Sequence, residues 1–235
     1  MERLDKVISH MSGNSRREVR EMVRQGRVTV GGAVVTDAET KVDAAAEICV
    51  DGRVLGVEEK TYLMLHKPGG ILTATEDKRQ KTVLDLLPPE YRNRGLSPVG
   101  RLDVDTEGLL LLTNDGELNH RLTSPKYQID KVYEAVVEGV LTPEDREAFA
   151  AGIVLKDFTC LPAKLEILAK DRCLVTVQEG KFHQVKRMLG SLGKPVIYLK
   201  RLSVGPVSLP VDLTKGNYRP LTENEIETLR IVCCL

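Results

Sequence analysis

Apolar and polar residues change period several times along the chain, and each change marks an element. Val19, Met22 and Val23 recur at the spacing of one helix face. Ser15 and Glu18 stand three apart just before that run, the spacing of a capping box. They predict a helix running to about Gln25, with Gly26 as its left-handed stop. Two short β-prone runs, Val28–Val30 and Ala33–Val35, flank Gly31-Gly32 and read as a hairpin. Beyond the polar join Gly56-Val57-Glu58-Glu59-Lys60, a strand is predicted over Thr61–His66, then a short helix over Thr82–Leu87 stopped by Pro88-Pro89. The unbroken run Leu109–Leu112 reads as a strand, Asn114-Asp115-Gly116 as a turn, and Glu117–Leu122 as a helical turn. Further strands are predicted at Lys131–Val140, Ala163–Leu168 and Cys173–Gln178, and helices at Glu144–Ala150, Lys181–Leu192 and Glu223–Leu229. Strands outnumber helices and do not alternate strictly with them. The expected class is therefore α+β: a small domain over 1–58, then a larger one over 61–235 with a mixed, largely antiparallel sheet.

Composition narrows the field. Lys+Arg and Asp+Glu balance at 34 each over 235 residues, which argues against a general polycation but leaves room for local patches. No segment approaches the ~18 apolar residues of a membrane span, and the first residues lack an apolar signal core. A cytoplasmic protein is expected. The five cysteines show neither a CxxC pair nor metal-ligand spacing and read as reduced thiols, so no metal site is expected. Without tryptophan, the core must be mainly Leu, Val and Ile.

Charge is patterned locally. Arg16, Arg20, Arg24 and Arg27 fall opposite the apolar face of the first predicted helix, within roughly a quarter turn, with Arg17 beside them. Such a row is commonly a solvated surface. Here Glu18 and Glu21 do not neutralise it, and guanidinium forks suit phosphate. The stretches RLDKVIS, SRREVREMVRQGRVTVGG and VDGRVL resemble the S4 RNA-binding domain over nearly all of residues 1–58. That resemblance implies a grip on structured RNA through shape and backbone, with contacts at Arg3, Arg16, Arg17, Arg20, Arg24 and Arg27. A second cluster lies in EGKFHQVKRML at 179–189. Val185, Met188, Leu189 and Leu192 would be buried, with His183, Lys186 and Arg187 projecting oppositely within roughly 100°. Taken singly, this is an ordinary amphipathic helix, and a lone His183 is more often a polar surface residue than a catalyst. Two basic clusters on a neutral chain point to a nucleic-acid path.

The segment GRLDVDTEGLLLLTN at 100–114 sets carboxylates beside the leucine run. Asp103, Asp105, Glu107 and Gly108 match the start of a calcium loop, but Asn114 stands where an EF-hand needs its bidentate Glu, and a strand rather than a helix follows. Two aspartates two apart would share one face of an extended chain, and paired-carboxylate hydrolysis is a second, less favoured reading. The third reading is a single working aspartate near Arg101; the plain alternative is a structural turn capped by Asp105 or Thr106, which is the better reading for Asp105.

GRLDVDTEGLLLLTNDG, HKPGG, KVYEAVVEG, EGKFHQVKRML and YRPLTENEI together resemble the ribosomal RNA pseudouridine synthases in order along the whole chain, most closely the small-subunit branch with an S4 domain. The Phe-His-Gln-Val-Lys form of the late motif resembles that branch, whereas large-subunit relatives tend toward Asn-Arg there. The resemblance implies that Asp103 is the essential carboxylate, acting either on the nucleotide as nucleophile or on a sugar proton as base. It implies that Tyr133 packs on the flipped base and that Lys186 pairs with Asp103. Arg101 would help open the stack, and Lys181, His183, Gln184 and Arg187 would contact RNA. No cofactor is implied. The expected partner is ribosomal RNA, within a partly assembled small-subunit ribonucleoprotein and acted on by a monomer. A large-subunit enzyme is the alternative within the class. A non-catalytic RNA-binding assembly factor is the alternative outside it, and it would leave Asp103, Tyr133 and Lys186 apart.

Overall fold

The capping box written into Ser15-Arg16-Arg17-Glu18 is formed. Glu18 N donates to Ser15 Oγ at 3.3 Å, and Ser15 N donates to Glu18 Oε2 at 2.8 Å. It starts helix α2 (Arg16–Arg24), and Gly26 follows at φ +69°. The computed structural model describes residues 2–12, 14–43, 46–55, 60–92 and 94–235; most of the predicted join, 56–59, lies outside them. The chain divides into two units, Met1–Glu59 and Lys60–Leu235.

In the first unit, α1 (Leu4–Ser12) packs with α2, and β1 (Glu2–Arg3) pairs with β4 (Lys41–Val42). A four-stranded antiparallel sheet runs β3 (Ala33–Val34), β2 (Val28–Val30), β5 (Ile48–Val50), β6 (Arg53–Val54). Gly31 and Gly32 both take positive φ, as the tight hairpin between β2 and β3 demands. Leu4, Ile8, Val19, Val23, Val28, Val42 and Ile48 form the core. Helix α1 was not expected from the pattern, because its short run LDKVISHMS carries too few apolar residues for a clear period.

The second unit is built on a nine-stranded sheet. Its main path runs β11 (Lys164–Ala169), β12 (Arg172–Val177), β10 (Lys131–Val137), β13 (Val196–Val204), β9 (Glu107–Thr113), β7 (Tyr62–Lys67), β15 (Tyr218–Pro220). Short β8 (Ser97–Pro98) and β14 (Val207–Ser208) attach to β9 and β13. Only the β13–β9 pairing is parallel, so the sheet is mixed and largely antiparallel, as expected. Along β9, Leu110 and Leu112 join the core on one face, Leu109 and Leu111 the core on the other. A strand apolar at every position is one covered on both sides. Each leucine contributes ~1.5–3 kcal/mol by burial, which fixes the strand that follows Asp103. Gly108, at φ +106°, lets β13 approach: a Cβ there would lie 2.2 Å from the Arg201 carbonyl oxygen.

Helices α3 (Pro89–Arg92), α4 (Gly116–Thr123), α5 (Pro143–Ala151), α6 (Gln184–Ser191) and α7 (Glu223–Val232) cover the sheet and its edges. Three expectations shift. The helix predicted over Thr82–Leu87 is a single 3₁₀ turn, Val83–Leu86. The strand predicted to Val140 ends at Val137. The helix predicted from Lys181 begins at Gln184, because His183 takes left-handed φ +50° and ends the preceding turn.

Candidate active site

Asp103 lies in the loop between β8 and β9, and that loop is pinned at several points. Thr73 Oγ1 donates to Leu102 O at 2.8 Å and accepts from Leu102 N at 3.3 Å. Lys67, the last residue of β7, is fully buried. Its Nζ donates to the carbonyls of Pro68 (3.1 Å), Asp103 (3.0 Å), Val104 (3.1 Å) and Thr106 (2.9 Å). Three ammonium protons thus serve four acceptors that belong to one turn and the Asp103 loop. Burial pushes this lysine down to about 8, against the upward pull of Asp105, Asp103 and Glu107.

Across the cleft, α6 presents Lys186. Its Nζ lies 3.0 Å from Asp103 Oδ2 and 2.5 Å from Asp105 Oδ1. Burial alone would lower its pKa, but hydrogen bonds from Lys186 to Asp105 and Asp103 outweigh this and hold the ammonium above its usual range. The bond from Lys186 holds Asp105 below the usual carboxylate range. Asp105 therefore does more than shape the turn, because it supplies the second anion on Lys186. His183 Nε2 stands 3.5 Å from Asp103 Oδ1. Its ring stacks on Phe182 at 3.8 Å between centroids, and the Phe182 side chain is 69% exposed.

Tyr133 projects from β10 on the face shared with Ala135 and Val137, nearly buried. Asp103 and Tyr133 line the same cavity of about 380 Å³, together with Arg101, Lys131, Lys181, His183 and Arg201. Both also line an adjoining cleft with Thr106, whose buried hydroxyl has no hydrogen-bond partner among the described residues. Asp103, Tyr133 and Lys186 thus gather around one site, and Arg101 stands exposed at its rim.

The remaining expected contacts fall into different settings. Gln184 is buried: it accepts from Lys181 N at 3.1 Å and donates to Glu179 Oε1 at 2.7 Å, so its side chain fixes the turn before α6 and offers no surface to RNA. Lys181 and Arg187 both lie over the Phe158 ring, and they pair with Glu179 and Asp157 respectively. In the first unit, Arg3, Arg16 and Arg20 converge on the fully buried carboxylate of Asp5 at 3.0, 2.8 and 3.2 Å. Burial would raise that carboxyl, but the three guanidiniums hold it at about 2. Arg24 pairs with Glu21, and Arg27 grips Asp51 through two bonds. Arg17 has no ion pair among the described residues and is exposed. Reasoning from the sequence did not find Lys67, Asp5, or the burial of Lys131 and Arg201. Lys67 stands in the HKPGG stretch already singled out, but nothing local reveals that it faces inward.

Comparison with known proteins identifies the family. A family model described as RNA pseudouridylate synthase matches residues 61–191, and an S4 domain model matches residues 2–48. The chain is 45% identical to an uncharacterized RNA pseudouridine synthase of Bacillus subtilis, covering 97% of this chain and 98% of that one. It is 39% identical to ribosomal small subunit pseudouridine synthase A of Escherichia coli K12 (97% and 99%). It is also 41% identical to ribosomal large subunit pseudouridine synthase B of Bacillus subtilis (98% and 96%). A crystal structure of a pseudouridylate synthase superposes with a TM-score of 0.70 at 38% identity, over 97% of this chain and all of that one. The pinned aspartate, the lysine opposite it and the cavity beside them thus stand in a chain that belongs to the RNA pseudouridine synthase family, isomerases acting on RNA, and carries an N-terminal S4 domain.

Proposed function

We propose that this enzyme isomerises one uridine of 16S small-subunit ribosomal RNA to pseudouridine, with Asp103 as its essential carboxylate. The bond from C1′ to N1 breaks and one from C1′ to C5 forms. The C5 proton leaves and N1 gains one, so no atom enters or departs overall. An anionic carboxylate is needed for either attack or proton removal. The observation that carries the reading is the Lys186–Asp103 pair at 3.0 Å beside a cavity walled by Tyr133. A cation held on two carboxylates sits against Asp103 and fixes its rotamer. Tyr133 offers a buried aromatic face to a flipped base. Arg101, His183 and Lys181 line the cavity as RNA contacts, Arg187 joins them from beside Lys181 over the Phe158 ring, and Phe182 adds an exposed stacking face. The S4 domain supplies Arg17 and the arginines around Asp5 for backbone contacts.

The small-subunit target is supported by the KFHQVKRM form of the late motif and by the E. coli relative. A partly assembled ribonucleoprotein in the cytoplasm, met by a single copy of the enzyme, is the corresponding substrate and setting. The 41% identity to a large-subunit synthase keeps 23S RNA as the second reading. Asp103→Asn should abolish conversion while RNA affinity stays within a few-fold; normal turnover in that variant sinks the assignment. Mapping pseudouridine in both ribosomal RNAs from cells lacking the protein decides the target, since one position should revert to uridine in 16S RNA and none in 23S RNA.

A further inference from the structure

Two buried cations in the cavity beside Asp103 form no ion pair among the described residues. Arg201 is 2% exposed and Lys131 7% exposed. Arg201 donates through Nε to Leu109 O at 2.8 Å, but its Nη2 is buried and has no hydrogen-bond partner among the described residues. Lys131 Nζ donates to Ile129 O at 3.0 Å and forms no ion pair among the described residues. The topology places them together. Lys131 and Tyr133 are two apart on β10 and share a face, and Tyr133 is the direct cross-strand partner of Arg201 on β13. Both cations line the same cavity as Asp103, Tyr133 and Arg101.

Burying an unpaired charge is costly, and burying two like charges side by side more so. Desolvation pushes Lys131 down to about 8 and the Arg201 guanidinium lowers it further, against the weaker upward pull of Asp130. Asp103, the one carboxylate lining the cavity, is already engaged by Lys186. An incoming anion would relieve such a pair. Uracil is neutral and cannot supply the charge; in RNA the anion is the phosphodiester.

We infer that Lys131 and Arg201 form a buried seat for one backbone phosphate flanking the target nucleotide, setting its sugar over Asp103. The inference rests on the reading that the target uridine docks at Asp103. The free Nη2–H groups and the lysine ammonium give a fork and a point donor, the combination phosphate oxygens accept. A phosphate held there also accounts for why polar groups persist in a floor that Leu and Val could have filled. They weaken the empty fold and act only when substrate arrives.

The test uses the full chain and three probes: uridine, uridine 3′,5′-bisphosphate and inorganic phosphate, titrated by NMR or calorimetry. The wild type should bind the bisphosphate at least about tenfold more tightly than uridine. In Lys131→Met that ratio should fall to near one, and thermal stability should hold or rise, because an uncompensated charge has been removed. A purely structural lysine would instead lower stability and leave the ratio intact. Arg201→Lys, which keeps the charge but loses the fork, should give an intermediate ratio if Lys131→Met does not fold. On ribosomal RNA, Lys131→Met should lower kcat/KM about tenfold and reduce the salt slope of binding by about one. Equal affinity of the wild type for uridine and the bisphosphate overturns the inference. So does a ratio unchanged by either substitution. Lys131-dependent binding of inorganic phosphate with no gain from the attached uridine assigns the seat to free phosphate and also overturns it. Asp103→Asn should keep the wild-type ratio; full conversion by that variant would sink the docking reading while leaving the binding ratio as measured.

Discussion

Replacing Lys67 by Met separates the stability of the fold from the placement of Asp103, the carboxylate proposed to react. The ammonium makes four contacts of 2.9–3.1 Å to carbonyls, and three of those carbonyls belong to residues 103, 104 and 106. Methionine fills nearly the same volume but donates nothing. Losing bonds to a charged donor costs ~1.5–3 kcal/mol each in principle. Against this stands the desolvation already imposed on the lysine. Its pKa near 8, against an ordinary 10.5, corresponds to a penalty on the order of 3 kcal/mol. Three of the four carbonyls are also near enough to the surface to rehydrate. The net loss of global stability should therefore be modest, about 1–3 kcal/mol. The loss of position is not compensated. A misplacement of about 1 Å at a reacting group can cost ~10²-fold in rate. Denaturant unfolding followed by circular dichroism gives the first quantity, and single-turnover tritium release from C5-labelled RNA gives the second. Lys67→Met should remain folded, bind RNA with near-normal affinity and turn over at least ~100-fold more slowly. Turnover within a few-fold of wild type would refute the clamp, and so would inactivity wholly accounted for by unfolding.

The two lysines near pH 8 make a linked pH prediction. Both are lowered in the folded state, so between about 8 and 10.5 the unfolded chain binds more protons and stability should rise with pH. Activity should fall over the same window as the clamp and the phosphate seat lose charge, and parallel curves of melting temperature and rate would contradict this. Gly108→Ala should fail to give a folded active enzyme, since its Cβ would lie 2.2 Å from a backbone oxygen of β13 at φ +106°; a soluble variant with native melting behaviour would refute the close approach. In the S4 domain, Asp5→Asn should destabilise by about 2 kcal/mol, because three guanidiniums lose a shared buried anion. The wild type should lose that contribution only as pH falls from 3.8 toward about 2. Arg17→Ala should instead weaken RNA binding and flatten its salt dependence without changing stability, and an unchanged salt slope would remove Arg17 from the interface.

Periodicity and local chemistry determined a good deal of this protein. Ser15 and Glu18 form their capping box because both partners lie within one turn. Leu109–Leu112 read as a strand needing burial, and the motif around Asp103 carried the reaction class. The tertiary structure decided what depends on residues far apart. Lys67 reaches Thr106 across 39 positions, Lys186 reaches Asp105 across 81, and Arg201 reaches Leu109 across 92. A lysine or arginine in a sequence reads as surface, since isolated charges avoid burial. Only packing shows that Lys67 points into a ring of carbonyls and that Lys131 and Arg201 share a cavity while forming no ion pair among the described residues. The same holds for Asp105, which the chain presents as a turn residue and α6 converts into half of a lysine clamp. Gln184 makes the opposite case, because the left-handed turn at His183 rotates it inward onto Glu179. Periodicity assigns a face only where the backbone stays regular, and at this site the backbone departs from regularity at His183, where the helix had been expected to continue.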